Sequence, residues 1–317
     1  MNTVLVTGGA GFIGSHLCER LLQKDCRVIN IDNFNDYYNP YIKAANVTEA
    51  LKNIQYTLVK GDIRNNSVLE SIFSRFDIDT VIHLAALAGV RKSLSNPVEY
   101  IDVDIKGTVS LLEYCRKINV RKFIFASSSS VYGRNPLPFM EDDNVDSQVS
   151  PYAVAKRCGE LFCKTFNTLY GIPTVCLRFF TVYGPRQRPE MAIHYFTRLI
   201  DEGKEVPVFS NGTSSRDYTY IDDIVDGIVA AADLQCGFEI FNLGNSRPTQ
   251  LDSMIDIIEQ KLGKKADRNY LPAQQGDVEY TCADITKAMN VLGFSPRVGI
   301  EEGIERFVKW YKSQSIL

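Results

Sequence analysis

Tyr152 and Lys156 stand four residues apart in the run Ser150-Pro-Tyr-Ala-Val-Ala-Lys156. On a helix that spacing puts a phenol and an ammonium on one face. A free tyrosine ionises near pH ~10, so a phenol that is to act as a base at neutral pH needs a cation beside it. Upstream, Ser127-Ser-Ser-Ser130 leads into Val131-Tyr-Gly133, and a hydroxyl from that run, Ser128 or Ser129, can hold a substrate alcohol against the base. Together these groups suit one reaction: a proton leaves an alcohol while hydride leaves its carbon.

A hydride needs an acceptor. Thr7-Gly-Gly-Ala-Gly-Phe-Ile-Gly14 joins a β-branched run to a helical pattern. Gly8, Gly9, Gly11 and Gly14, with Phe12 and Ile13 between them, meet both common spacings of a dinucleotide loop. Such glycines allow a tight turn, close approach of backbone to a pyrophosphate, and close helix–strand packing. The helix N-terminus then offers free N–H groups to phosphate. Asp32, followed by Asn33, ends the second β-like run and can accept both ribose hydroxyls. No arginine adjoins Asp32, so NAD is expected over NADP. Gly61-Asp62-Ile63 ends the third run, where Asp62 either meets the adenine amino group or caps the next helix. His83-Leu-Ala-Ala86 ends the fourth; Leu84, Ala85 and Ala86 would let backbone run close to the cofactor, and His83 reads as a packed strand residue.

These groups need elements to position them. Strand patterns fall at 3–6, 27–32, 55–59, 80–84, 122–126 and 174–177, and helical patterns at 13–24, 67–75, 98–118 and 152–170. The alternation predicts an α/β fold, a Rossmann-type doubly wound parallel sheet with crossover helices. Pro97 and Pro151 stand where helices begin, and Gly171 where one ends. After Arg178 the rhythm loosens, with short strands at 206–209 and 218–221 and helices at 190–201, 222–233, 251–262 and 300–312. We expect a dinucleotide-binding domain over 1–177, with returning segments near 222–242, and a smaller interleaved lobe over 178–317 that binds substrate.

The chain of 317 residues is 45% hydrophobic with net charge −3, enough for a large core and without a basic stripe for nucleic acid or a membrane surface. No apolar run is long enough to span a bilayer. Eight cysteines without a Cys-x-x-Cys pair suit reduced, mostly buried thiols and a cytoplasmic protein. Strand-like residues begin at Thr3, so no leader is expected. Asp222-Asp-Ile-Val-Asp226 lacks histidine support, and His16, His83 and His194 show no ligand spacing; no catalytic metal is expected.

At these motifs the chain resembles the extended short-chain dehydrogenase/reductase (NAD-dependent epimerase/dehydratase) family of nucleotide-sugar enzymes. The resemblance runs from the glycine loop through Thr213-Ser-Ser-Arg-Asp-Tyr218 to Gln275-Gly-Asp277 and Asp284. It implies tightly held NAD, a Ser-Tyr-Lys triad on Ser128 (with Ser129 its competitor), Tyr152 and Lys156, a UDP-sugar substrate, and a homodimer built on the helices at 98–118 and 152–170. Family dehydratases and sugar-acid decarboxylases carry glutamate before the Val-Tyr-Gly segment; Ser130 stands here, so epimerisation at C4 is expected over elimination.

Asp32–Tyr38, His83–Arg91 and Arg178–Pro185 look like segments of members that act on UDP-glucuronate. Arg188 can pair with a sugar carboxylate in two-pronged geometry, with hydroxyls from Thr181 and Ser130 beside it; Arg186 and Arg188 can equally face diphosphate or solvent. Arg216 resembles a diphosphate clamp, Asp277 an acceptor for the uridine ribose, and Phe209 a platform for uracil. A departure from the common Trp-Gly near Arg186-Gln187 leaves the subgroup open. A neutral-sugar UDP-glucose or UDP-N-acetylglucosamine epimerase, a UDP-glucuronate decarboxylase and a non-catalytic NAD sensor are the alternatives.

Overall fold

The structure is a computed structural model that describes residues 1–273 and 278–314. Its strands are β1 (Thr3–Thr7), β2 (Arg27–Asp32), β3 (Tyr56–Lys60), β4 (Thr80–His83), β5 (Lys122–Ser128), β6 (Thr174–Phe179), β7 (Thr181–Tyr183), β8 (Glu205–Phe209), β9 (Ser215–Tyr220), β10 (Phe238–Leu243), β11 (Pro248–Gln250) and β12 (Asp267–Leu271). Seven form one sheet in the order β10-β6-β5-β4-β1-β2-β3, and every pairing in it is parallel. Both faces are covered. Val4, Val6, Val28, Ile82, Ile124 and Val175 feed one core, while their neighbours Leu5, Ile29, Val81, Phe123 and Cys176 feed the other. A strand whose successive side chains point to opposite faces must be apolar throughout when both faces are buried.

The sheet is the expected doubly wound one, and the strand order reverses between β1 and β4, where a crevice opens at the strands' C-terminal ends. β5 and β6 run two residues past the expected ends, which carries Ser127 and Ser128 into register with Arg178 and Phe179. After β6 the chain leaves the sheet and comes back. Helix Ile221–Asp233 packs on β5 and β6, and β10 adds an edge beside β6. The remaining strands form two small sheets, β11-β9-β7 and β12-β8.

The expected single helix over 98–118 is interrupted. Pro97–Tyr100 is a short α-turn, Ile101–Lys106 is a π-helix, and Gly107–Ile118 resumes the α-helix. Within the wider turn Asp104 is buried, and its Oδ1 accepts the Leu87 N–H at 2.7 Å. Pattern reading also passed over helix Pro40–Asn46, although Asn39 before a proline is a start signal; Asn39 caps it by accepting the Tyr41 N–H. Five of the eight cysteines are buried, and none is in a disulfide. No described helix is long and apolar enough to cross a membrane.

Helix Pro151–Tyr170 is fixed by a buried ion pair. Ser150 caps its N-terminus by accepting the Ala153 N–H. One turn beyond Lys156, Glu160 accepts from Arg178 Nε at 2.8 Å and Nη2 at 3.0 Å, and from the Ser127 hydroxyl at 2.6 Å. Burial works to raise the Glu160 carboxyl, but the bonds from Arg178, Ser127 and Arg157 together outweigh it and hold the group below the ordinary range. We expect Glu160→Gln, which strands the Arg178 charge, to cost about 3–5 kcal/mol in urea unfolding at pH 7. The wild-type advantage should be complete above pH ~4.3 and fade as acid protonates Glu160 in the folded protein. Equal urea midpoints for the two proteins at pH 7 would show the pair to be dispensable.

Candidate active site

Helix Phe12–Gln23 starts at the crevice with Gly11 as its N-cap, no side-chain cap and no acid in its first turn. Its leading N–H groups are therefore left for a ligand. Gly8 has φ +72°, and a Cβ there would stand 2.8 Å from the Ala85 nitrogen; a Cβ on Gly14 would run into the Gly8 carbonyl. Gly9 differs from its neighbours. It does not line the cavity: its N–H donates to Asn30 Oδ1 at 2.9 Å, and a side chain there would strike Asn30. All the other expected cofactor residues line one cavity: Gly8, Gly11, Phe12, Ile13, Gly14, Asp32, Asn33, Asp62, Ile63, Leu84, Ala85, Ala86, Tyr152 and Lys156.

Two carboxylates shape the far end of this cavity. Asp32 is buried and accepts the Ala10 N–H at 3.0 Å and the Phe34 N–H at 2.8 Å, which pins the glycine loop to the turn after β2. Asp62 does not cap the following helix; Asn65 does. Arg64 grips Asp62 through Nε and Nη2, Asn33 adds a third bond, and the Arg64 bonds hold the carboxyl down at about 2. Uncapped helix amides, a loop stripped of side chains and an acid at the end of β2 are what NAD requires of a protein. The residues fit that cofactor.

Tyr152 stands at the inner end, its ring edge-on to Tyr100 with centroids 6.2 Å apart. Lys156 is buried; its Nζ donates to the Ala126 carbonyl at 2.9 Å and lies 5.8 Å from the Tyr152 ring centroid. Its ammonium is thus held beside the phenol by β5, and no carboxylate among the described residues pairs with it. His83 is packed, as expected, and joined to Thr7 and Thr108. Burial, and secondly Lys156, press its imidazole down to about 3, so it stays neutral.

A second cavity shares Phe12, Ile13, Ala88, Ser127, Tyr152, Phe179 and Arg188 with the first. Ser128, Ser129, Ser130, Thr181 and Arg216 line it. Ser128 Oγ accepts the Ser130 N–H at 3.2 Å and keeps its own proton to donate. Ser130 Oγ is buried with no partner among the described residues. Arg188 stands where the cavities meet, its guanidinium 5.9 Å from the Tyr37 ring centroid. Arg186 turns away, at φ +65°, to pair with Glu19 at 2.8 Å.

Arg216 is not paired with its neighbour Asp217, which is buried and accepts N–H groups from Asn245, Ser246 and Ala283; Arg216 Nη1 donates to the Ser215 and Glu279 carbonyls. Phe209 lines neither cavity and lies beneath Arg91, 5.5 Å from ring centroid to guanidinium carbon. Asp277 lies outside the described residues. Asp222 and Asp226 pair with Arg306 and Arg20, while Asp223 accepts two backbone N–H groups.

Pattern reading missed Tyr37, Tyr38, Lys43, Arg64 and Leu87, all on the first cavity's wall. The aromatic pair after Asp32 was a visible signal. Nothing in the sequence pattern marked Asp104, which lies behind the wall.

Residues 4–244 match the family model for the NAD dependent epimerase/dehydratase family, and the chain belongs to that family. A UDP-glucuronate 4-epimerase of Thermodesulfobacterium geofontis is 44% identical, over 98% of this chain and 97% of that protein. Among solved structures, the UDP-glucuronic acid 4-epimerase from Bacillus cereus, in complex with UDP-glucuronic acid and NAD, superposes with a TM-score of 0.94 at 39% identity, covering 98% of this chain and 99% of that one. A UDP-glucose 4-epimerase from Thermotoga maritima superposes at 0.91 with 33% identity, covering 99% of each chain.

Asp104 yields a prediction about stability. Its Oδ2 has no partner among the described residues, and burial raises the carboxyl to about 6 against the opposing pull of Lys156. The folded protein thus binds this proton more tightly than the unfolded chain, whose aspartates titrate near ~3.9. Stability falls as pH rises from ~4 to 6, and the cost is complete above that window. Asp104→Asn keeps an acceptor for Leu87 and removes the ionisation. We expect it to raise stability by about 2 kcal/mol at pH 7.5, with the gain shrinking toward pH 4. Urea midpoints of both proteins across that range check it; a pH-independent difference would refute it.

Proposed function

We propose that this chain epimerises UDP-glucuronate at C4, giving UDP-galacturonate through a 4-keto sugar. The observation that carries the reading is Arg188 at the junction of the two cavities beside Tyr152, with Thr181 and the unpartnered Ser130 hydroxyl on the adjoining wall. A neutral C6 group has no use for that cation; a carboxylate does. The relatives named for UDP-glucuronate support the same choice.

NAD held along the glycine loop, Asp32 and Leu84–Ala86 supplies a reversible acceptor for hydride. The chain's own groups manage the proton and the sugar. Tyr152, as the phenolate that the Lys156 ammonium stabilises, takes the C4 hydroxyl proton and becomes the neutral phenol. Ser128 or Ser129 donates to the C4 oxygen. After the keto sugar turns over, C4 presents its other face for the hydride to return to, and the Tyr152 phenol gives its proton back to the C4 oxygen. Arg216 clamps the diphosphate, and Asp277 accepts from the uridine ribose. The 4-keto uronate is a β-keto acid that loses CO2 when its C5–C6 bond aligns with the carbonyl π system. Arg188, Thr181 and Ser130 hold the carboxylate away from that alignment.

We further infer a cytoplasmic homodimer, with eight unpaired thiols suited to a reducing compartment. Val98, Ile101, Val154, Leu161, Phe162 and Leu169 are exposed on the helices at 97–106 and 151–170. Val154, Leu161 and Phe162 recur at helical spacing, so a face of that helix is left apolar.

Incubation of the purified protein with UDP-glucuronate, followed by NMR of the product, should give UDP-galacturonate; UDP-xylose or unchanged substrate would refute the assignment. Arg188→Ala should raise KM about 10- to 100-fold, and both it and Thr181→Ala should release more UDP-4-keto-pentose. Light scattering should give twice the chain mass, and Leu161→Asp should shift the protein toward monomer. A monomeric wild type would rule out the dimer.

A further inference from the structure

The loop that carries Arg188 is held firmly at its backbone. Gln187 N–H donates to the Gly184 carbonyl and Met191 N–H to the Arg188 carbonyl, each at 3.1 Å. The buried Gln187 amide donates to Val182 O and accepts the His194 N–H, both at 3.2 Å. Pro189 fixes the next φ. The Arg188 backbone is therefore fixed, but nothing in this network sets the torsions of its long side chain. Two contacts outside it do. Tyr37 lies against the guanidinium, and Glu190 Oε1 accepts from Nε at 2.6 Å.

The choice of Nε matters. A guanidinium has two edges that can grip a carboxylate side-on, one of them formed by the two Nη atoms. The bond to Glu190 engages Nε and leaves the Nη1–Nη2 edge outside it, on a residue that lines both cavities. Glu190 lines neither cavity, and its side chain is 43% exposed. With the Glu190 end open to solvent and Arg188 half-buried, water screens the pair, and it contributes little to fold stability. Its consequence is orientation.

We propose that Glu190 is a positioning residue for substrate recognition: it holds Arg188 by Nε so that the free Nη edge meets the carboxylate of the sugar. The inference rests on the reading of Arg188 as the carboxylate partner. Orienting the side chain before binding removes an ordering cost that would otherwise fall on the substrate. Glu190 also remains a second carboxylate on the same cation, so it must hold Arg188 without displacing the ligand. Its position outside both cavities allows that.

The test uses the full-length, NAD-loaded enzyme as wild type, Glu190→Ala, Glu190→Gln and Arg188→Ala. Glu190→Ala should raise KM for UDP-glucuronate about three- to tenfold, with kcat, the melting temperature and the calorimetric Kd for UDP unchanged. Glu190→Gln, which keeps an acceptor for Nε, should restore most of the loss. A KM for Glu190→Ala within twofold of wild type would overturn the proposal, and a lowered KM would make Glu190 a competitor for Arg188. Loss of UDP affinity and melting temperature without rescue by glutamine would make it a structural strut and equally overturn it. If instead Arg188→Ala leaves KM unchanged, the carboxylate reading itself has failed, whatever Glu190 does.

Discussion

Glu160 lies too deep to touch any ligand, yet the geometry of the catalytic groups depends on it. It sits on the helix that carries Tyr152 and Lys156, one turn beyond the lysine, and binds groups from two neighbouring strands: Ser127 at the end of β5 and Arg178 in β6. Those bonds set the height of the helix relative to the serine run. The same end of β5 supplies the Ala126 carbonyl that receives Lys156. Arg178 in turn reaches the Glu141 carbonyl and lies over the Tyr132 ring, which ties in the segment after the serines. A buried charge pair is poor evidence of stability beside an apolar alternative. Here it does what an apolar contact cannot: it fixes position and rotation together.

A second polar chain runs from the cofactor wall to the π-helix, and its hydrogens can be assigned. The Ala85 N–H donates to Thr7 Oγ1, which contacts His83 Nδ1; His83 Nε2 contacts Thr108 Oγ1, which donates to the Asp104 carbonyl. Since the Thr108 proton is committed to Asp104, His83 must donate through Nε2 and accept at Nδ1 from the Thr7 hydroxyl. One neutral tautomer satisfies every bond. The lowered imidazole pKa, with Lys156 as its second cause, keeps the ring in that form. Leu87 and Ala85 on the cavity wall are therefore both tied, by different routes, to the turn that contains Asp104.

What could be read in advance was whatever depends on local spacing. Tyr152 with Lys156, the glycine loop and Asp32 each carry their geometry in a few consecutive residues, and the structure gathers them around one crevice. The sequence pattern ends β5 and β6 early because Ser127 and Arg178 look like poor strand residues until Glu160 is known to satisfy them. The π-helix was invisible because one added residue per turn hardly disturbs an apolar repeat. Gly9 looked like its neighbours, but its constraint is Asn30, a residue 21 positions away. Tyr37, Tyr38 and Lys43 reach the wall only through the path of the loop after β2, which no periodicity encodes.

The site's polar groups separate by whether the chain itself satisfies them. Asp32, Asp62, Glu160, Asp217 and His83 all have partners within the protein, and their work is to hold loops and strands in place. Ser130 Oγ and Asp104 Oδ2 are buried without partners among the described residues, a state that native proteins rarely leave unanswered. Their answers differ. Ser130 lines the second cavity with Thr181 and Arg188, so a ligand there can supply its missing hydrogen-bond partner. Asp104 lines neither cavity; burial lifts its carboxyl to about 6, so its unmet oxygen is neutralised by a proton only below that pH and stands as a cost to stability above it. Among these buried groups, an unmet polar atom with access to a cavity is the one that a bound ligand can satisfy, and Ser130 meets both conditions.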